Sequence, residues 1–261
     1  MLFTKTHYCE TYVVTKGLFM NILFGVSYVG TNYAGWQRQD NALGIQEVIE
    51  NALQQITGKY VEIFASGRTD AGVHAYEQCF NAQLDFKDVK KLPRALNAFL
   101  PEDIKITYAK EVAGDFHARY SAHKKTYVYR LKQGDTQSPF DSFYTAYTQY
   151  NLDHKKMQKA ADMFVGTHNF HAFCSSGTTV KDFERTIYSF TVTKTQNLYE
   201  FEICGNGFLY NMVRIIVGTL VDIARGKIAI DKIEEMFKTG KRQLAGKTMD
   251  AKGLVLKKVE Y

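Results

Sequence analysis

Between Ser66 and Ala75 the chain reads Ser-Gly-Arg-Thr-Asp-Ala-Gly-Val-His-Ala, so Arg68 and Asp70 stand in a segment bracketed by Gly67 and Gly72. Glycine permits a tight backbone path that side chains would block. An aspartate with an ordinary pKa near ~3.9 is ionised at neutral pH, and a nearby arginine favours that form. An ionised carboxylate held in a cleft can act as nucleophile, base or metal ligand. The plainer reading of an Asp near glycines is a local Asx-turn.

Arg214 offers a second clue. It is a single cation among Met212, Val213, Ile215, Ile216 and Val217, in a long apolar helical pattern. Such a cation must either snorkel to water or find a carboxylate, because unpaired burial is very costly. On the second alternative Arg214 faces a cleft and pairs with Asp70, and each residue explains the other.

A third clue is the run from Asp115 to Leu131, which interleaves Arg119, Lys124, Lys125 and Arg130 with Tyr120, Tyr127 and Tyr129. Cations for phosphates and rings for bases are what an RNA surface needs. The same pattern also fits a half-exposed strand with a basic wet face. Trp36 and Arg38, in Tyr-Ala-Gly-Trp-Gln-Arg-Gln, form another such loop. His168 and His171 have no third ligand at a useful spacing, so no metal is expected. There is no phosphate-binding loop, dinucleotide fingerprint or serine hydrolase elbow.

The elements that must position these residues follow from hydrophobic periodicity. Met20 opens a strand in which Ile22, Phe24, Val26 and Tyr28 alternate with smaller residues. Ile45 to Ile56 has helical spacing and Gly58 ends it. Val61 to Ala65 reads as a short strand, and Phe80, Ala82 and Leu84 lie in another. Pro93 opens a helix through Leu100, and Ile104 to Tyr108 is a strand.

The second half repeats the order. Thr126 to Leu131 is a strand and Asp153 begins a helix. Tyr188, Phe190 and Val192 alternate, a Gln196-Asn197 turn follows, and Tyr199, Phe201 and Ile203 alternate again. An apolar helix runs from about Phe208 to Arg225, a short helix lies around Ile233 to Phe237, and a last strand spans Leu254 to Val259.

Each half is therefore β-α-β-β-α-β, the split unit of ferredoxin-like and RRM-like folds. The predicted class is α+β: two such halves, residues 20–122 and 123–261, with antiparallel sheets joined around a central cleft. Residues 1–19 carry no clear period and read as an N-terminal extension, from an upstream translation start or a non-native addition. The competing arrangement is two unrelated α+β domains.

Composition bounds the function. The chain has 261 residues, 45% hydrophobic and 23% charged, which suits a folded domain or two. The formal charge of +6 suits a polyanionic partner without demanding one. The cysteines Cys9, Cys79, Cys174 and Cys204 form no Cys-x-x-Cys pair, and Cys79 and Cys204 read as small buried hydrophobes. No leader pattern and no membrane-length apolar run is visible, so a cytoplasmic protein is expected, with no membrane partner.

Together Tyr-Ala-Gly-Trp-Gln-Arg-Gln, Gly-Arg-Thr-Asp-Ala-Gly-Val-His-Ala, Phe-His-Ala-Arg-Tyr-Ser-Ala, Gly-Thr-His-Asn-Phe, Gly-Phe-Leu-Tyr-Asn-Met-Val-Arg and the closing Ala-Lys-Gly-Leu-Val-Leu resemble the TruA family of tRNA pseudouridine synthases. The resemblance covers nearly the whole chain from Met20. It implies the pseudouridine synthase fold and isomerisation of uridine at positions 38, 39 and 40 in the anticodon stem-loop of tRNA. It further implies a homodimer, and chemistry that needs no cofactor.

By the same resemblance Asp70 is the catalytic nucleophile and Tyr127 packs on the target base. Arg68 helps extrude the nucleotide, and Arg214 pairs with Asp70. Arg38, Arg119, Lys124 and Lys125 are the expected RNA contacts. The chain departs from the family at Asn169, where Asp is frequent, and in Lys124-Lys125-Thr126, where Arg is commoner. The main alternative is a non-catalytic RNA-binding module with paired RRM-like halves, and a structural dimer with an incidental cleft is a third reading. The binding module leaves the Arg68–Asp70 loop without a purpose, and the dimer leaves Arg214 unexplained.

Overall fold

Alternating apolar residues and helical stripes produce ten strands and five helices in the computed structural model, which describes residues 19–261. In chain order these are β1 (Met20–Tyr28), α1 (Ile45–Thr57), β2 (Phe64–Ala65), β3 (His74–Leu84), α2 (Leu92–Asn97) and β4 (Ile104–Glu111). The second half contributes β5 (Lys124–Gln133), β6 (Ala146–Thr148), α3 (His154–Asp162), β7 (Gly166–Asn169), β8 (Glu184–Thr195), β9 (Leu198–Gly205), α4 (Met212–Ala224), α5 (Lys232–Thr239) and β10 (Leu254–Glu260). Gly58 closes α1 in the left-handed conformation, with its N–H bonded to the Gln54 carbonyl. Asp153 caps α3 by accepting from the Lys156 N–H. Helix α4 is apolar on nearly every side and buried accordingly.

The strands form one sheet in the order β4-β1-β3-β10-β5-β9-β8-β7, with β2 on β3 and β6 on β5. The seam between the halves is β10. It pairs antiparallel with β5 along most of its length but parallel with β3 only at Val255–His74 and Leu256–Ala75. Strand β2 occupies the same edge of β3 further along, at Asn81 and Phe80. The polypeptide between β2 and β3, which carries Asp70, therefore lies at the seam. Helix α2 packs on β4 and touches α1, while α3 lies against β8 and α4 and α4 against β5. Among the described residues no helix is long and apolar enough to cross a membrane.

Several expectations need correction. The strand expected over 61–65 shrinks to Phe64–Ala65, although Val61 and Ile63 remain buried. Strands β6 and β7 were not anticipated. Tyr188 does not share a face with Phe190 and Val192, because a bulge between Ile187 and Ser189 turns it outward and puts Ile187 in the core. The apolar helix starts at Met212 rather than Phe208, since Asn211 before it is left-handed at φ 62°. Cys204 is only half-buried, whereas Cys79 is buried as expected. The proposed 1–19 extension, and Cys9 within it, lie outside the described residues except for Phe19.

Candidate active site

The segment from Ser66 to Val73 has no regular structure, yet nearly every residue is tied down. The Gln78 carboxamide, fully buried, donates to the Gly67 carbonyl at 2.8 Å and accepts from the Cys79 N–H at 3.1 Å. The Trp36 N–H donates to the Thr69 carbonyl at 3.0 Å, and the hydroxyls of Tyr28 and Thr69 share a hydrogen bond of 2.8 Å. Gly35 sits at φ +93°, and a Cβ there would stand 2.6 Å from the Thr69 oxygen, so only glycine allows this approach. The Val73 N–H closes the turn on the Asp70 carbonyl at 3.1 Å.

His74 holds the seam just beyond. Its Nδ1 accepts from the Gly30 N–H at 3.1 Å, which leaves Nε2 as the donor facing the carbonyls of Phe143 and Lys252 at 3.1 and 3.2 Å. Burial pushes its pKa down, in keeping with a neutral ring.

Asp70 meets Arg214 across the seam. Nη1 of Arg214 donates to Asp70 Oδ2 at 3.2 Å, with the two side chains 16% and 26% exposed. The same nitrogen donates to Asn211 Oδ1 at 2.6 Å, and Nε donates to the Met249 carbonyl at 2.7 Å. Of the two possibilities for Arg214, pairing therefore holds and snorkelling does not. Gly218, one turn further along α4, makes room for the segment that carries Met249. A Cβ on Gly218 would lie 1.9 Å from the Lys247 oxygen.

Burial raises the pKa of Asp70 above its usual value, and the Arg214 charge only partly opposes this. The arginine beside Asp70 is Arg214 rather than Arg68, and its charge opposes the effect of burial without overcoming it.

Tyr127, on β5, stands edge-on to Phe208 with ring centroids 5.1 Å apart. Tyr127 is buried, and desolvation drives its phenol pKa upward, with smaller contributions from Tyr28 and from the Asp70 charge. Arg68 is exposed and belongs to none of the ion pairs among the described residues. Arg119 and Lys124 are also exposed, lying over the rings of Tyr120 and Tyr188. The loop carrying Arg119 is pinned by the Asn21 carboxamide, which donates to the Ala113 and Phe116 carbonyls at 3.0 and 2.8 Å.

Two expected RNA contacts point elsewhere. Lys125 donates to the Ser66 carbonyl at 2.6 Å, beneath the Asp70 loop, and burial with the Arg119 charge lowers its pKa to about 8. Arg38 pairs with Glu50 at 2.8 Å, and Glu50 is wholly buried, so this arginine neutralises a core carboxylate. Trp36 beside it is a core side chain, 1% exposed, and offers no stacking face. His168 stacks on Phe237 and His171 lies tilted against Phe183, each with ring centroids 4.2 Å apart. Among the described residues no cluster of potential metal ligands occurs.

Gln78, Tyr28, Lys125 and His74 as anchors of the loop were not read from the sequence. For Gln78 the sequence offers no mark, because β3 also carries Glu77, Asn81 and Gln83 and nothing singles out the amide that is buried.

A family model described as tRNA pseudouridine synthase matches residues 25–121 and 160–261. A protein of Thermoanaerobacter sp. (strain X514) named tRNA pseudouridine synthase A is 44% identical over 242 residues, spanning 92% of this chain and 99% of its own. A protein of that name from Clostridium kluyveri is 42% identical over 246 residues, with the same shares covered.

Proposed function

The chain belongs to the tRNA pseudouridine synthase family, and from that premise we propose that Asp70 carries out the isomerisation of uridine to pseudouridine in tRNA. The observation that supports this assignment is the Asp70–Arg214 pair formed across the seam beside Tyr127. The net reaction breaks the bond from C1′ to N1, turns the uracil and joins C1′ to C5; the C5 proton leaves to solvent and N1 takes up a proton in exchange, so the product is an isomer of the substrate. No electron or group is exchanged with a second molecule, so the chain's own side chains can supply the chemistry.

A uridine in a stem must first leave the stack, which costs a few kcal/mol offset by contacts in the pocket. In this reading the exposed Arg68 holds the opened strand and the Tyr127 ring packs on the extruded base. The Asp70 carboxylate then acts, by attack at C1′ or as the base that starts a glycal route. Both routes need the same anion, and Arg214 holds that anion in place. Arg119 and Lys124, exposed beside aromatic rings, suit phosphate contacts.

The finer reading is that the substrate is the anticodon stem-loop, that the active species is a homodimer and that the protein works in the cytoplasm. It rests on the family motifs, on the positive charge and on the tRNA named for the relatives. A binding module without chemistry would have no use for a carboxylate kept in a site that raises its pKa.

Tritium release from tRNA labelled at uridine C5 tests the assignment. Wild type releases label, and Asp70→Asn releases none while still binding tRNA. Release by Asp70→Asn at the wild-type rate would refute it.

A further inference from the structure

Asn211 precedes α4 with φ 62° and ψ 8°, in the left-handed region. That region is unfavourable for any residue with a Cβ, though least so for Asn. An asparagine before a helix ordinarily folds its side chain onto the first helical N–H groups. Asn211 makes no such bond. Its Oδ1 instead accepts from Arg214 Nη1 at 2.6 Å, and its Nδ2 donates to Ser175 Oγ at 2.9 Å.

The amide orientation is fixed by this pattern, because a guanidinium N–H needs an oxygen opposite it. The Ser175 N–H donates to the Tyr210 carbonyl at 3.1 Å, so the segment at Ser175 is tied twice to the turn before α4. Arg214 Nη1 continues to Asp70 Oδ2 at 3.2 Å, which completes a line from Ser175 through Asn211 and Arg214 to Asp70.

The guanidinium is planar and its N–H directions are rigid. Its bond to Met249 fixes one edge, and the Asn211 oxygen fixes the other. With both in place, only a narrow direction remains for the third contact, and Asp70 lies there. The left-handed backbone is what swings the carboxamide across to Arg214 instead of onto the helix. Strained backbone held in this way by its surroundings is concentrated at functional sites.

We propose that Asn211 is a positioning residue that aims the Arg214 guanidinium at Asp70 without itself touching the uridine. This inference rests on Asp70 being the acting carboxylate. The charged and titratable groups facing Asp70 are Arg214 from α4 and the Tyr127 phenol from β5.

Asn211→Gly separates backbone from side chain. Glycine accepts φ 62° without strain, so folding is retained while the carboxamide is lost. The expected result is a fall in kcat of about tenfold, equivalent to about 1.4 kcal/mol, with KM changed less than about twofold by the same measure. The acid limb of the pH–rate profile moves to higher pH as Arg214 turns from Asp70. Asn211→Asp keeps the acceptor but competes with Asp70 for the cation, so it moves the acid limb upward too. This second variant carries the test if Asn211→Gly melts early.

Wild-type kcat and an unmoved acid limb in the folded variant would overturn the proposal, as would a loss confined to KM. Asp70→Asn is assayed alongside. If it stays active, the reading of the site fails as a whole. If it is inactive while Asn211→Gly behaves as wild type, only the role of Asn211 falls.

Discussion

Replacing Arg214 by methionine removes a cation while leaving an unbranched stem for the same space. Three hydrogen bonds disappear: to Asp70 at 3.2 Å, to Asn211 at 2.6 Å and to Met249 at 2.7 Å. A hydrogen bond to a charged group contributes about 1.5–3 kcal/mol. The bond to Asp70 is long, and both partners are partly wet, so about 1–2 kcal/mol is the better expectation. If that stabilisation acts in the chemical step, kcat falls about 5–30-fold.

The pH dependence gives the sharper test. Burial raises the Asp70 pKa and Arg214 opposes the rise, so its removal moves the pKa further up. In the proposed reaction the active form is the carboxylate. The rising limb of kcat/KM in wild type therefore sits above the ordinary carboxylate range, and in Arg214→Met it moves higher. Raising the assay pH then restores part of the lost rate. Label release measured from acid to neutral pH checks this, with thermal melts run in parallel. Leaving the Met249 carbonyl and the Asn211 oxygen without their donor costs about 2–3 kcal/mol, or roughly 5–10 °C in Tm for a chain of this size. An equal fractional loss at every pH, with the limb unmoved, would refute the idea that Arg214 acts through the ionisation of Asp70.

Lys125→Met, by loosening the Asp70 loop, lowers kcat several-fold and leaves the salt dependence of tRNA binding unchanged, whereas Lys124→Ala reduces the slope of log K against log salt by about 1. Filter binding across a salt series distinguishes the two lysines. Asp70→Asn gains thermal stability at neutral pH. The folded-state pKa of Asp70 is raised, so the folded protein holds that proton more tightly than the unfolded chain, and wild-type stability falls as pH rises from the ordinary carboxylate value through the raised one. The two melting curves should converge below that window, and a lower Tm for Asp70→Asn at neutral pH would contradict the sign.

The legible parts of this protein were those set by residue type and by period. Strand β9 alternates cleanly, and the helices from Ile45 and Asp153 begin or end on residues that define their termini. Asp70 and Arg214 were legible because a carboxylate among glycines and a cation in an apolar helix each require an explanation. The edge strands β6 and β7 are too short to show a period. Tyr188 was misplaced because a bulge shifts the register without leaving a mark in the alternation. Lys125 and Arg38 read as RNA contacts because cations there stand among aromatic residues. The partners they have within the fold, the Ser66 carbonyl and Glu50, come from other elements, and no sequence spacing encodes such contacts. The same holds for Tyr28, which braces the loop from a strand that meets it only in the fold.

The way Arg214 shares its donors bears on how reactive Asp70 is. A bidentate guanidinium–carboxylate pair would occupy both oxygens and favour the anion strongly. Here Nε is taken by Met249, and Nη1 is divided between Asn211 and Asp70, so one long bond reaches Oδ2. That is enough to orient the carboxylate but not to offset its burial, and the pKa stays raised. A poorly solvated, weakly paired carboxylate is a better nucleophile or base than one locked in a strong ion pair, because less stabilisation of its charge is lost on reaction. The rigid loop and the restrained arginine act together: the first prevents Asp70 from turning to water, and the second keeps it from being quenched. Strengthening the Asp70–Arg214 pair would therefore slow the reaction just as breaking it does.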